Sequence, residues 1–185
     1  MSGRRKMGLL SGAAILAALT ATVTWLVKPG PPPPEPLQIE TTLYADGVLM
    51  SGIGSAVVLS RDGKLLTYVT GERSNPTGGL YLRRTHRMDG HFLSGTERGY
   101  NPFFSPDNRW IGFVTPTELK KVAISGGTPL RLCSVRRNRG SSWGPDGTIV
   151  FSPDPSSPLM RVPAAGGEPR PFTTLETGEV SHRWP

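Results

Sequence analysis

The chain is poor in the residues from which most active centres are built. Of its 185 residues, one is cysteine and three are histidine. The single cysteine, Cys133, excludes an internal disulfide and any multi-cysteine zinc site. It closes an apolar run with Leu130 and Leu132 and reads as a small buried hydrophobe. His86 and His91 flank Asp89-Gly90, and His182 stands apart. A metal site wants a third ligand at a defined spacing, so all three read as surface histidines and no metal is expected. There is no Gly-x-Ser-x-Gly elbow and no phosphate-cradling glycine loop, so neither a catalytic residue nor a cofactor is expected. No stretch after Pro36 keeps a helical period.

Unbalanced charge is scarce too. The net charge is +7, but Arg4, Arg5, Lys6 and Lys28 flank one apolar segment. From Leu37 onward there are 17 basic and 13 acidic residues. The densest run, Arg136-Arg137-Asn138-Arg139, sits between Gly and Ser and reads as a solvated loop. A nucleic-acid groove needs a basic stripe interleaved with aromatics, so nucleic acid is not an expected partner.

What the chain does have is turns and short apolar runs. Glycine (23) and proline (19) exceed a fifth of it, and the runs recur between Gly, Pro, Asp and Asn clusters. That is an all-β pattern rather than disorder. Three segments repeat one theme: Ser60-Arg61-Asp62-Gly63, Ser105-Pro106-Asp107-Asn108 and Gly144-Pro145-Asp146-Gly147, each followed by an apolar strand. The aspartates are 45 and then 39 residues apart, and Gly126-Gly127 and Gly166-Gly167 are 40 apart. Periods of about 40–50 residues belong to propeller blades and similar arrays. Asp-Gly and Asp-Asn tolerate the positive φ of a tight hairpin, so Asp62, Gly63, Asp107, Asn108, Asp146 and Gly147 read as turn builders. One aspartate per blade scatters them around a ring instead of gathering them at one site.

The expected strands are Ala56–Leu59, Leu65–Thr70, Leu80–Arg83 and Phe92–Leu93, then Asn101–Phe104, Trp110–Thr115, Leu119–Ile124 and Leu130–Cys133. A third set is Ser142–Trp143, Ile149–Phe151, Leu159–Val162 and Pro171–Thr174. The expectation is an open partial β-propeller of about three four-stranded blades over 37–185. Their approximate bounds are 45–98, 99–139 and 140–178, with a fourth begun at 179. Phe104, Trp143, Phe113 and Phe151 are expected between blades. Leu37–Leu43 reads as a closing strand whose partner blade is missing. Three blades leave two open ends, which implies a fragment of a larger protein, or further blades supplied by another chain.

Met7 to Val27 is 21 residues without a charge, fifteen of them apolar. As a helix it spans about 31 Å, close to the hydrocarbon core of a bilayer. The flanks are Arg4, Arg5 and Lys6 before it, with Trp25 and Lys28 at its far end. The excess of positive charge at the start places 1–6 in the cytoplasm and the rest across the membrane. The expectation is a single-pass inner-membrane anchor over 7–27, with the bilayer as partner and the blades periplasmic or extracellular. A cleaved signal peptide is the alternative, and both export the body. Pro29 to Pro36 holds six prolines in eight residues, a polyproline stalk over 28–36.

The Ser-Pro-Asp-Gly theme, the apolar run ending in Phe and the Gly-Gly pair resemble the WD-like repeat of the TolB propeller family, over about Ala56 to Pro185. Arg61 stands for the usual proline, Asn108 for glycine and Gly144 for serine. The layout resembles bacterial membrane serine/threonine kinases that carry one membrane helix and an exported TolB-like propeller. Thr117-Glu118-Leu119-Lys120-Lys121-Val122, Gly126-Gly127-Thr128-Pro129 and Gly140-Ser141-Ser142-Trp143-Gly144-Pro145-Asp146-Gly147 carry that likeness, while the kinase motifs are absent. The resemblance implies a non-catalytic module that binds a protein or small ligand. The alternatives are the propeller of a prolyl-oligopeptidase-like peptidase and a TolB-like cell-envelope protein.

Overall fold

Every described segment of the chain is strand, turn or connecting loop. The structure, a computed structural model, describes residues 48–50, 54–71 and 78–185, within the unit Thr41–Pro185. The expected membrane helix, its flanks Arg4, Arg5, Lys6, Trp25 and Lys28, the stalk and the closing strand Leu37–Leu43 lie outside the described residues. Among those described, no helix is long and apolar enough to cross a membrane.

Thirteen strands occur among the described residues. The first sheet holds β1 (Val48–Leu49), β2 (Val57–Leu59), β3 (Leu65–Gly71), β4 (Leu80–Arg84) and β5 (Gly90–Phe92). The second is β6 (Tyr100–Phe104), β7 (Trp110–Val114), β8 (Glu118–Ala123) and β9 (Leu130–Ser134). The third is β10 (Ser141–Trp143), β11 (Thr148–Phe151), β12 (Met160–Pro163) and β13 (Arg170–Pro171). All pairings are antiparallel and each sheet follows chain order, except that β1 and β2 both pair with β3. β1 has no counterpart among the expected strands. The outermost strand of the first sheet lies at Gly90–Phe92, shifted toward the chain start from the expected Phe92–Leu93.

The sheets stack face to face because strand side chains alternate with period two. In β7, Ile111 and Phe113 point to the first sheet, where they bury with Leu80, Leu82 and Leu93. The alternate Val114 points the other way, and with Phe103, Leu119 and Leu132 it buries against Ile149, Phe151 and Val162 of the third sheet. Trp143 packs on the same cluster, edge to face with Phe103 at 6.2 Å. The middle sheet is therefore buried on both faces.

The first hairpin of each sheet turns at the repeated aspartate. Leu59 pairs with Leu66 and Phe104 with Ile111, but Trp143 pairs with Ile149. The third hairpin is thus one residue shorter. Its closing bond runs from Gly144 N to Thr148 O at 2.8 Å, while Ser60 N and Ser105 N reach Leu65 O and Trp110 O, one residue further on. The deletion lies in the turn, so Ile149 and Phe151 keep the buried face held by Ile111 and Phe113.

Phe113 is fully buried between two sheets, whereas Phe172, past the end of β13, is 52% exposed. Phe113→Ala is expected to cost about 3–5 kcal/mol in urea denaturation. Phe172→Ala should stay within about 0.5 kcal/mol. Equal losses at the two positions would contradict the stacking.

Candidate functional site

The six turn residues singled out from the sequence sit at the far ends of the first strands and build those turns. Ser60 Oγ donates to Asp62 Oδ1 at 2.7 Å and accepts from Leu65 N at 2.8 Å, and Lys64 N donates to the same carboxylate at 3.1 Å. Ser105 and Asp107 repeat this with Trp110 N and Arg109 N. Gly144 has no hydroxyl, and Asp146 instead takes Thr148 N at 3.0 Å and Thr148 Oγ1 at 2.9 Å. The residue after each aspartate has positive φ: Gly63 71°, Asn108 56°, Gly147 79°. Asn108 also links neighbouring turns by accepting from Arg61 N at 3.3 Å. Bonds from Ser60 and Ser105 hold the Asp62 and Asp107 carboxyls below the usual aspartate value, and the Thr148 amide does the same for Asp146. All three carboxylates are engaged within their own turns.

Residues from every copy meet instead where the first strands begin. β2 lies against β6 and β6 against β10, so these strands share an inner edge. Ser55, Asn101, Pro102, Gly140 and Ser141 line a cavity of about 250 Å³ there, with Trp184 and Pro185 of the fourth copy. Each copy places one positive-φ residue at this point: Gly54 (98°), Asn101 (49°), Gly140 (109°) and Trp184 (56°). The conformation bends the strand entry; in the second sheet the β6–β7 register slips between Tyr100 and Phe103. Two of the glycines are also needed for space. A Cβ on Gly54 would lie 1.4 Å from Asn101 Oδ1, and one on Gly140 2.9 Å from Trp184 Cε3. A second cavity, about 350 Å³, shares Ser55 and Asn101 with the first.

Asn138 fastens this region. It is fully buried, in the run that the sequence suggested was a solvated basic loop. Arg136 and Arg137 are exposed, but the asparagine side chain between them and Arg139 turns inward. Its Nδ2 donates to Ser152 O at 2.8 Å, Gly140 O at 3.1 Å and Ser141 Oγ at 3.2 Å. Its Oδ1 accepts from Asn101 Nδ2 and Gly140 N, each at 3.1 Å. One amide therefore joins the second and third sheets at the inner edge. Its sequence signal was faint: an uncharged residue inside a run of arginines.

The histidines differ from one another. His86 and His91 are exposed, but His182 is half-buried. Its Nδ1 lies 2.6 Å from Thr173 Oγ1 and its Nε2 3.1 Å from Glu179 Oε2, while its backbone N donates to Ser157 O at 3.1 Å. Thr173 Oγ1 also accepts from Leu159 N at 3.0 Å. These bonds strap the start of the fourth copy onto the third sheet. Burial pushes the Cys133 thiol up to about 11. No group of His, Cys, Asp and Glu among the described residues could hold a metal.

No family model and no curated protein matches the chain. Solved structures do. A TolB-assigned protein from Agrobacterium tumefaciens superimposes with a TM-score of 0.55 at 18% identity, over 68% of this chain and 49% of that one. The β-propeller domain of the Trilobed protease from Pyrococcus furiosus gives 0.49 at 14%, over 65% and 43%. An acylaminoacyl peptidase gives 0.45 at 15%, over 55% and 17%. The chain spans about half the length of the TolB-assigned structure it matches. The fold is a TolB-like β-propeller, all-β throughout the described residues.

Two outcomes are expected. Asn138→Ala strips partners from Asn101, Gly140 and Ser152 at once, and should cost roughly 2–4 kcal/mol in urea denaturation. A loss under about 0.5 kcal/mol would remove it as the fastener. The turn aspartates have depressed folded pKa values, so their contribution is present above the ordinary 3.8 and lost as pH falls below it. Thermal melts at pH 7 and pH 3 should therefore differ less in an Asp62→Asn, Asp107→Asn, Asp146→Asn variant than in the parent chain.

Proposed function

We propose that the chain is a membrane-tethered, exported β-propeller module that binds a ligand or protein and performs no chemistry of its own. It is the sensing portion of a larger receptor-like assembly, of the kind that joins an exported propeller to a cytoplasmic kinase. The observation that carries binding is the mouth where the first strands begin. Residues from four copies converge there, none of them charged. A site that moves protons needs a titratable group within hydrogen-bond reach of the reacting atom. The mouth offers hydroxyls, an amide and an aromatic ring, a set suited to holding a ligand. The fold itself assigns no function.

The tether rests on the uncharged 21-residue run Met7–Val27 and the cations Arg4, Arg5 and Lys6 before it. In this reading the bilayer is one partner, through residues 7–27. Further blades, supplied by another chain or a longer form of this one, are a second. Phe172 supports the latter: it is 52% exposed, while Leu132, at the same distance past its Gly-Gly pair in the preceding copy, is 3% exposed.

Protease accessibility tests the placement. Bacterial cells expressing the full chain are converted to spheroplasts and treated with protease. The propeller should be digested without detergent, and the undigested chain should stay with membranes after carbonate washing. Protection of the propeller in intact spheroplasts, or release by carbonate, would overturn the exported, tethered reading.

A further inference from the structure

The third copy departs from the second on the face that its sheet turns toward the second, where Met160 packs on the shared cluster. With the two Gly-Gly pairs set together, Glu118 and Lys120 of β8 correspond to Pro158 and Met160, and Arg131 of β9 corresponds to Pro171. In the second copy those three charged side chains form one network. Lys120 Nζ lies 2.8 Å from Glu118 Oε2, and Arg131 Nε lies 3.0 Å from Glu118 Oε1. The third copy has no charge at any of the three positions. The core positions between them do not change: Leu119 and Val122 are matched by Leu159 and Val162, all buried.

Pro158 and Met160 line a cavity of about 460 Å³ between the second and third sheets, with the buried Cys133 and Phe151 behind them. Both sheets carry all four of their strands, so neither wall is formed by the end of the chain. Further blades would extend the stack beyond the first and third sheets and leave this cleft between two existing ones.

The turn at the rim of the cleft is fixed, because Gly167 N donates to Leu132 O at 3.1 Å and so joins the two sheets. The next residue is Glu168, where the second copy has Thr128. Among the described residues its carboxylate has no partner, although Arg161 and Arg170 line a neighbouring cavity with it. The other charged residue of the cleft, Arg131, is spent on Glu118 and on Ser134 Oγ, the latter at 2.7 Å. An apolar cleft with one unanswered negative charge at its rim suits an apolar cation. An anion would be repelled by Glu168, and a neutral molecule would gain from apolar contact alone. The volume lies within the usual small-ligand range.

We propose that this cleft binds a small organic amine: its apolar body lies against Pro158 and Met160, and its ammonium pairs with Glu168. The proposal rests on the reading of this chain as a binding module and gives it a second site with a ligand class of its own.

The test is methyl NMR on the full chain in nanodiscs, with methionine labelled at its methyl carbon. Met160 reports on the cleft, and its resonance is assigned from Met160→Leu. Met88, 53% exposed between β4 and β5, reports on nonspecific contact. The probes are phenethylamine, cyclohexylmethylamine and hexylamine, each beside the alcohol of the same carbon skeleton. At least one amine should shift the Met160 methyl saturably and leave Met88 in place, and its alcohol should bind about fivefold more weakly. Glu168→Gln should weaken that amine by about the same factor. Glu168 is exposed, so this variant should melt with the parent chain. No amine moving Met160, equal shifts at Met160 and Met88, an alcohol as strong as its amine, or a Glu168→Gln chain that binds as tightly as the parent would overturn the proposal. A chain that binds the amine but fails the spheroplast test would leave this cleft standing and overturn only the exported placement.

Discussion

A four-stranded sheet has two faces and can bury neither by itself. That constraint organises this structure. The middle sheet meets it fully: Ile111, Phe113 and Val122 are buried against the first sheet, and Phe103, Val114 and Leu119 against the third. Strand alternation supplies the two sets, and the near-40-residue repeat presents them again. Most of the apolar burial is therefore between copies, not within them. Cys133 is part of the same packing, and its raised thiol pKa is a by-product of that burial.

The turns carry the second layer of order. In two copies a serine hydroxyl joins the turn aspartate to the first amide of the next strand. The third copy has glycine in that place, and its hairpin closes one residue sooner. The buried pattern survives because Ile149 and Phe151 also come one residue sooner after Asp146 than Ile111 and Phe113 after Asp107. Turn chemistry and core pattern thus changed together, as a consistent fold requires.

The fold was legible in the sequence because its signals are local. An aspartate, the positive-φ residue after it and an alternating strand lie within about ten residues, the length of one hairpin. The expected strands overlap twelve of those observed, and the misses have physical causes. β1 is two residues long and pairs with Thr70 and Gly71 of β3, beyond β2 in the chain, so no short window contains its reason to exist. Asn138 is neither apolar nor periodic, and its partners Asn101 and Ser152 lie 37 and 14 residues away. His182 owes its half-buried place to Thr173 and Glu179, which its surrounding sequence does not advertise as partners. The mouth was illegible for the same reason: it is assembled from four strand entries, each unremarkable alone.

The mouth lies at the starts of the first strands, and the aspartate turns lie at their ends. This separation has a consequence for how such a module can diversify. Each aspartate turn is tied to the start of a core strand by bonds to the next one or two amides, so changing it disturbs the packing directly. The strand entries need only a positive φ and, for Gly54 and Gly140, an absent Cβ. Side chains there can vary with less effect on the stacked sheets. Local backbone preference and residue identity agree at Gly54, Asn101 and Gly140 and disagree at Trp184. At Asn101 and Gly140, each followed by its own sheet, the entry position is buried, so the strands that follow an entry are what cover it.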